Sequence, residues 1–120
     1  MTYISYTGKK VAIGAKYADY VLPFVNLSAP LPYLGFDEFG QSCTNTGNTI
    51  TVTSNTSWTV TYPVVWLGGD LSGTGDGFIV VSCAPDEGGP GRGDSIIVSG
   101  VGCADKTFGC TQLSTGQTCT

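Results

Sequence analysis

Histidine is absent from the 120-residue chain, methionine occurs once, and charged residues make up only 12% of it. Soluble domains carry about 25% charged residues on average. Most of the polar surface of this protein must therefore come from hydroxyl groups, amides and glycine backbone. Without histidine, a serine or cysteine nucleophile would need a lysine or a carboxylate as its base, and the sequence shows no such arrangement. No acid stands out as desolvated, and no glycine-rich loop has the phosphate-binding pattern. We therefore expect that the protein is not an enzyme.

Positive charge is also scarce. The cations are Lys9, Lys10, Lys16, Arg92 and Lys106, and nine carboxylates bring the formal net charge to −4. Proteins that bind nucleic acid neutralise phosphates with a basic patch or stripe. This sequence has none, which predicts that nucleic acid is not a partner.

Long apolar runs are missing as well. Lys9, Lys10, Lys16 and Asp19 interrupt the apolar residues near the start of the sequence, whereas a signal peptide needs a continuous run of roughly 7–15 apolar residues. No later stretch approaches the roughly 18 apolar residues of a membrane span. We expect no signal peptide, no membrane contact and assembly in a cytoplasm.

The five cysteines are Cys43, Cys83, Cys103, Cys110 and Cys119. Their number is odd, and without an export signal we interpret most of them as core residues or free thiols. Cys103 and Cys110 flank a predicted hairpin turn and would pair if the strands place them opposite each other. Cys119 lies in a polar tail, where it is expected to form no covalent bond; the alternative is a cross-link to a neighbouring chain. Zinc spacing is absent, so we expect no metal and no cofactor.

What the chain does contain is turn chemistry between short apolar segments. It has 18 glycines and 6 prolines, and turn signals recur about every 8–12 residues, as in β-sandwiches. The predicted strands are 48–53, 57–62, 64–67, 78–83, 95–99 and 106–112. The segment 78–83 is apolar enough to be a buried strand. The expected core residues are Trp58, Val60, Ile79, Val81, Ile96 and Val98.

Residue composition divides the chain into three parts. Residues 1–29 are predicted to be an extended docking arm, residues 30–112 the sandwich, and residues 113–120 a polar tail. Two prolines within 28–32 favour a linker there. The arm has many aromatics and no core of its own, so it needs a surface to pack against. Its candidate docking residues are Tyr3, Tyr6, Tyr17, Tyr20 and Phe24.

Several short motifs occur in the same order as in a known family of domains. The motifs are Phe36 to Gly40, Ile50 to Trp58, Trp66, Ser72 to Gly75 before the strand 78–82, Arg92 before the strand 95–99, and Thr111-Gln112 at the end of the last strand. This pattern resembles the BACON domain, a carbohydrate-binding-like immunoglobulin sandwich named for its abundance in Bacteroidetes. The resemblance covers about two-thirds of the chain, and it implies an all-β, immunoglobulin-like β-sandwich with an extended N-terminal arm.

The same resemblance implies a biological setting. BACON domains are usually modules of large secreted or lipid-anchored proteins, and similar domains occur in virion proteins of gut bacteriophages, including crAss-like phages. A single module without a signal peptide or catalytic domain favours the phage setting. The expected function is that of an auxiliary (decoration) protein on the capsid of a tailed bacteriophage, assembled in the host cytoplasm. Its expected partners are capsid subunits and copies of itself, with weak adhesion to surface or mucin glycans as an addition.

Two alternatives stay open. The chain would instead be a stand-alone carbohydrate-binding module that acts through Trp66, Tyr33 or Tyr62 and the loops near Gly73, or a phage tail or fibre component. Trp58 is expected in the core instead, because it alternates with Val60 and Tyr62.

The loop acids have a simpler explanation than a calcium site. Asp70, Asp76, Asp86 and Glu87 lack EF-hand spacing and are expected to be solvated turn residues. The tripeptide Arg92 to Asp94 spells an integrin-binding motif, and a three-residue match is expected by chance.

Overall fold

The computed structural model describes residues 10–13, 16–19 and 22–119, which form eleven strands and no helix. The strands are β1 (Lys10–Ile13), β2 (Lys16–Asp19), β3 (Val25–Ser28), β4 (Tyr33–Phe36), β5 (Thr49–Ser54), β6 (Ser57–Thr61), β7 (Leu67–Gly69), β8 (Ser72–Thr74), β9 (Gly77–Cys83), β10 (Arg92–Gly100) and β11 (Lys106–Gln112). In this part of the chain there is no helix long and apolar enough to cross a membrane.

Two sheets pack face to face. One has five strands in the order β4-β11-β10-β6-β8, and the other has four in the order β3-β5-β9-β7. All neighbouring pairs are antiparallel except β4 and β11, which are parallel. The predicted all-β, immunoglobulin-like sandwich is confirmed. Among the described residues, β1 and β2 pair with each other in a sheet of their own.

The core lies between the two sheets and follows strand alternation. Side chains of a strand point to opposite faces in turn, and β6 accordingly buries every second residue. All six residues expected in the core are buried: Trp58, Val60, Ile79, Val81, Ile96 and Val98 are at most 6% exposed. Full burial of such side chains contributes about 1.5–3 kcal/mol each.

Trp58 is the largest member of this core. Its indole Nε1–H donates a hydrogen bond to the carbonyl of Gly75 at 2.9 Å, which satisfies the polar edge of the ring. Gly73 lies opposite Trp58 on the neighbouring strand. A side chain at Gly73 would overlap the indole ring, so glycine is required there for close packing.

The strand Phe78 to Cys83 differs from its prediction as a buried strand. Ile79 and Val81 are fully buried, but Phe78 is 63% and Val80 45% exposed. β9 belongs to an outer layer of a two-layer sandwich, so only one of its faces is covered. The prediction was wrong for the outward-facing half of this strand.

The sandwich begins earlier than residue 30. Val25 is buried, and β3 pairs with β5. Phe24, assigned to the arm from the sequence, donates its backbone N–H to Asn55 Oδ1 at 2.9 Å and accepts from the Ser54 hydroxyl at 2.8 Å. The predicted boundary between 29 and 30 is therefore too late. The proline-containing linker 29–32 does not separate an arm from the sandwich; it carries the chain from one sheet to the other.

The described part of the predicted arm contains two short strands. Lys10–Ile13 and Lys16–Asp19 pair as an antiparallel hairpin, with Lys10 opposite Asp19. Tyr17 lies on β2. Tyr3, Tyr6 and Tyr20 lie outside the described residues.

The cysteines depart from expectation. Cys43 and Cys119 form a disulfide, with Cα atoms 5.5 Å apart, the usual separation for such bonds. The expectation that Cys119 forms no covalent bond was wrong. Cys103 and Cys110 do not pair, because β11 places Cys110 opposite Asp94 while Cys103 stays in the turn after β10. Cys83, Cys103 and Cys110 are free thiols.

The disulfide fixes a tail that also bonds to the sandwich. Leu113 donates its backbone N–H to the carbonyl of Phe36 at 2.9 Å, and Thr115 donates its N–H to the carbonyl of Gly89 at 3.2 Å. The tail through Cys119 is thus part of the folded unit.

We expect Cys119→Ser to lower the free energy of unfolding by about 2–4 kcal/mol, because the bond restricts the unfolded chain over a sequence separation of 76 residues. Cys119 is exposed, so the change leaves no cavity. Guanidinium unfolding measures the loss, and the wild type with reductant is the matched control, which should show the same loss. Equal stability of variant and wild type would contradict the pairing.

Candidate functional site

The three aromatic residues proposed to bind glycan do not form one surface. Tyr33 is on β4 and points outward, since it lies opposite Gly109 and is 38% exposed. Tyr62 follows β6 and packs against the core. Strands β4 and β6 are separated by β11 and β10, so these two residues stand about 14 Å apart across the sheet at the usual strand spacing.

Trp66 is half-buried, and Arg92 covers its ring on one side. The guanidinium carbon of Arg92 lies 4.7 Å from the centre of the ring, and Trp66 also packs against the core. A sugar could stack on that side of Trp66 only by displacing Arg92. The structure therefore assigns Trp66 to a cation–π contact, which contributes about 0.5–1 kcal/mol at partly exposed sites.

Arg92 belongs to a buried polar network at one end of the sandwich. Its Nε–H donates to Gln112 Oε1 at 2.7 Å, and its Nη2 donates to the carbonyl of Ala84 at 3.2 Å. Gln112 is 1% exposed, and its Nε2 donates to the carbonyls of Asp37 at 3.0 Å and Ala84 at 2.9 Å. Asp86 Oδ2 lies 3.9 Å from Arg92 Nε. Both amide protons and the oxygen of the Gln112 side chain are hydrogen-bonded. The network therefore connects the strand ends and loops at this end of the sandwich.

We expect Arg92→Ala to lower the free energy of unfolding by about 1–3 kcal/mol, because the buried Gln112 oxygen loses its donor. Lys106→Ala, which removes an exposed cation, is the matched control and should change stability by no more than about 0.5 kcal/mol. Guanidinium unfolding of both variants checks this. A double-mutant cycle with Gln112→Leu in which the two effects simply add would contradict the coupling.

Two of the three free thiols, Cys83 and Cys110, are poor nucleophiles, and so is Tyr62. Burial raises the pKa of Cys110 to about 12 and that of Cys83 to about 11. Arg92 opposes the shift at Cys83. Burial, with the charge of Asp70 second, raises the pKa of Tyr62 to about 12, and its hydroxyl donates to the carbonyl of Asp70 at 2.7 Å. At neutral pH all three groups stay protonated.

These pKa values predict alkaline destabilisation. In the unfolded chain the thiols lose protons near pH 9, whereas folded Cys110 keeps its proton to about pH 12. Between these values the folded state binds more protons, so the free energy of unfolding must fall as pH rises from 9 toward 12. Guanidinium unfolding at several pH values measures the slope. Tyr62→Phe should make it shallower between pH 10 and 12, and an unchanged slope would count against a buried phenol.

The loop acids serve turns. Asp37 Oδ1 accepts from the backbone N–H groups of Phe39 and Gln41, each at 2.9 Å. Asp70 Oδ2 accepts from the N–H of Val80 at 2.9 Å, and Asp76 Oδ1 from that of Ser54 at 2.9 Å. Within residues 22–119, no three such side chains are arranged to hold a metal ion.

Both outward faces of the sandwich lack charge over the described strands. The exposed face of the five-stranded sheet is made of Tyr33, Ser57, Thr59, Thr61, Ser72, Thr74, Gly93, Ser95, Ile97, Ser99, Thr107, Gly109 and Thr111. The face of the four-stranded sheet is made of Asn26, Ser28, Thr49, Thr51, Thr53, Gly68, Phe78, Val80 and Ser82. Charged side chains lie at the strand ends and in loops, which leaves two neutral, hydroxyl-rich surfaces.

Phe78 is the most exposed aromatic side chain on these faces. Thr51 lies opposite it and Val80 follows on the same face. Sequence reasoning did not find Phe78, because an unbroken apolar run gives no sign of which residues face solvent. The structure supplies that distinction through strand register.

No protein-family model matches the chain, and no curated protein matches it. Among solved structures, it is similar to a GH5 xyloglucanase of Bacteroides ovatus in complex with a XXXG heptasaccharide, with a TM-score of 0.65 and 17% sequence identity. The match covers 76% of this chain and 19% of the enzyme's chain. At this identity the likeness concerns the fold alone, and it agrees with the all-β sandwich.

Proposed function

We propose that the chain is a non-catalytic structural virion protein: an auxiliary (decoration) protein that docks onto the capsid of a tailed bacteriophage and displays its sandwich outward. Its partners are capsid subunits and neighbouring copies of itself. The observation that carries the proposal is the division of the chain into a closed sandwich and a hairpin that, in the described residues, pairs only with itself. The BACON resemblance supplies the phage setting.

The hairpin supports a docking role. A two-stranded hairpin is marginally stable alone in water, so β1 and β2 need a surface to pack on. Residues 1–21 contain three lysines and one carboxylate, whereas residues 22–120 contain two cations and eight carboxylates. This opposite charge favours an acidic docking surface for the segment and leaves the sandwich acidic.

In this proposal the sandwich has a docking end and a free end. The N-terminal segment enters beside the turn at Asn55, where Phe24 is bonded. The Arg92 network lies at the other end of β10, which spans nine residues, or about 26 Å at the usual rise per residue. A segment fixed to a shell at the first end would hold the second end away from it.

The disulfide is compatible with this life cycle. Disulfides persist on virion surfaces and are rare in a reducing cytoplasm. We infer that Cys43 and Cys119 pair after the particle leaves the host, and that the bond then protects the tail outside the cell.

We expect the full chain to co-sediment with purified phage shells and a version lacking residues 1–21 to stay in the supernatant. The deletion must end before Leu22, since removing residues 1–29 would also remove β3. Lys9, Lys10 and Lys16 changed together to glutamate should weaken binding at least about tenfold through lost charge attraction. Lys106→Glu is the matched control on the sandwich and should bind as the wild type does. Equal binding by the truncated chain would overturn docking through the segment.

A second candidate function is a carbohydrate-binding module. It is favoured by the exposed Phe78 on a neutral sheet face, and one structural neighbour is a glycoside hydrolase solved with an oligosaccharide. The two functions are compatible, because a displayed sandwich can adhere to glycans. A glycan-binding chain without shell binding would make this second function the primary one.

A further inference from the structure

The outward face of the four-stranded sheet has the composition of a sugar-binding surface. We propose that Phe78, with Val80 and the hydroxyls of Thr51, Thr49 and Ser28, binds a neutral polysaccharide. This inference rests on the second candidate function and places it at residues that the sequence did not indicate.

Strand register sets these side chains in rows. Phe78 lies opposite Thr51, and Thr51 lies opposite Ser28, so one row runs from an aromatic ring to two hydroxyls. Val80 and Thr49 form the next row. Neighbouring strands are about 4.7–4.9 Å apart, which puts the second hydroxyl of the first row about 10 Å from Phe78. That length suits a sugar chain lying across the strands, with its CH groups on the ring and its hydroxyls on threonine and serine.

Phe78 is accessible because its neighbour strand is short. β7 reaches only from Leu67 to Gly69, and Gly69 lies opposite Val81. In the described chain no β7 residue is therefore paired with Phe78. Phe78 is 63% exposed and lies in a strand that is paired with β5, so a ligand could cover it without a change in the backbone.

The face selects against charged ligands. It carries no charged side chain in the described strands, and the nearby Asp70 is occupied: its Oδ2 accepts from the N–H of Val80, and its own N–H donates to the carbonyl of Val80 at 3.2 Å. The described residues of this face include no cation that could pair with an acidic sugar or a phosphate. The two apolar side chains also form a patch much smaller than a stable protein interface needs. A neutral polysaccharide fits both properties.

Affinity electrophoresis tests the site with the full chain. Native gels are cast with xyloglucan, galactomannan or hydroxyethylcellulose as neutral probes and with polygalacturonate as an acidic one. We expect at least one neutral probe to slow the migration of the wild type and polygalacturonate to leave it unchanged.

Phe78→Ala should weaken binding to the neutral probe about tenfold or more, because covering an exposed phenylalanine is a large part of such an interaction. Phe39→Ala is the matched control: Phe39 is 54% exposed but lies in a loop, and its loss should leave retardation unchanged. Phe78→Trp should increase it.

The possible results distinguish an error in the proposed binding site from an error in the carbohydrate-binding function. If neutral probes slow the wild type and Phe78→Ala equally, glycan binding stands and the site is overturned. If no neutral probe slows the wild type, the carbohydrate-binding function fails and the site with it. If the sedimentation coefficient of Phe78→Ala is instead lower than that of the wild type, the face is an interface between protein copies. That result also overturns the proposal.

Discussion

Each strand of this sandwich has one face covered by the opposite sheet and one face in water, and the rest of the structure depends on that constraint. It buries alternate residues such as Ile79 and Val81 and exposes Phe78 and Val80 between them. With few charged residues available, the exposed faces are wetted by threonine and serine. The charges are left for strand ends and loops, where Asp37, Asp70 and Asp76 accept hydrogen bonds from backbone N–H groups. The neutral faces and the polar ends thus have one cause.

The ends of the sandwich need specific polar contacts because backbone groups there leave the sheet ladders. At one end Gln112 reaches into the interior from the last strand and bonds the carbonyls of Asp37 and Ala84. A buried amide of this kind is costly unless every atom is paired, and Arg92 supplies the last donor. Once committed there, Arg92 covers Trp66. Trp66 is attractive as a sugar platform in isolation, but Arg92 occupies its ring.

Local patterns in the sequence were sufficient for the fold class and the core. Alternation placed Trp58 and Val60 inward, and turn residues marked the reversals. Local sequence patterns did not predict features that depend on contacts between residues far apart in the sequence. β3 is only four residues long, and its assignment depends on pairing with β5, far along the chain. The Cys43–Cys119 bond depends on the path of the tail, and the accessibility of Phe78 depends on where β7 stops. None of these has a local signal.

Burial limits exchange between the disulfide and two of the three free thiols, Cys83 and Cys110. Exchange requires a thiolate to attack the bond, and burial keeps the pKa values of Cys83 and Cys110 far above neutral pH. Cys110 is also fully enclosed by the core. The same burial that makes these residues core components protects the Cys43–Cys119 pair from them. The Cys43–Cys119 bond can therefore persist in the folded chain beside two thiols that stay protonated at neutral pH.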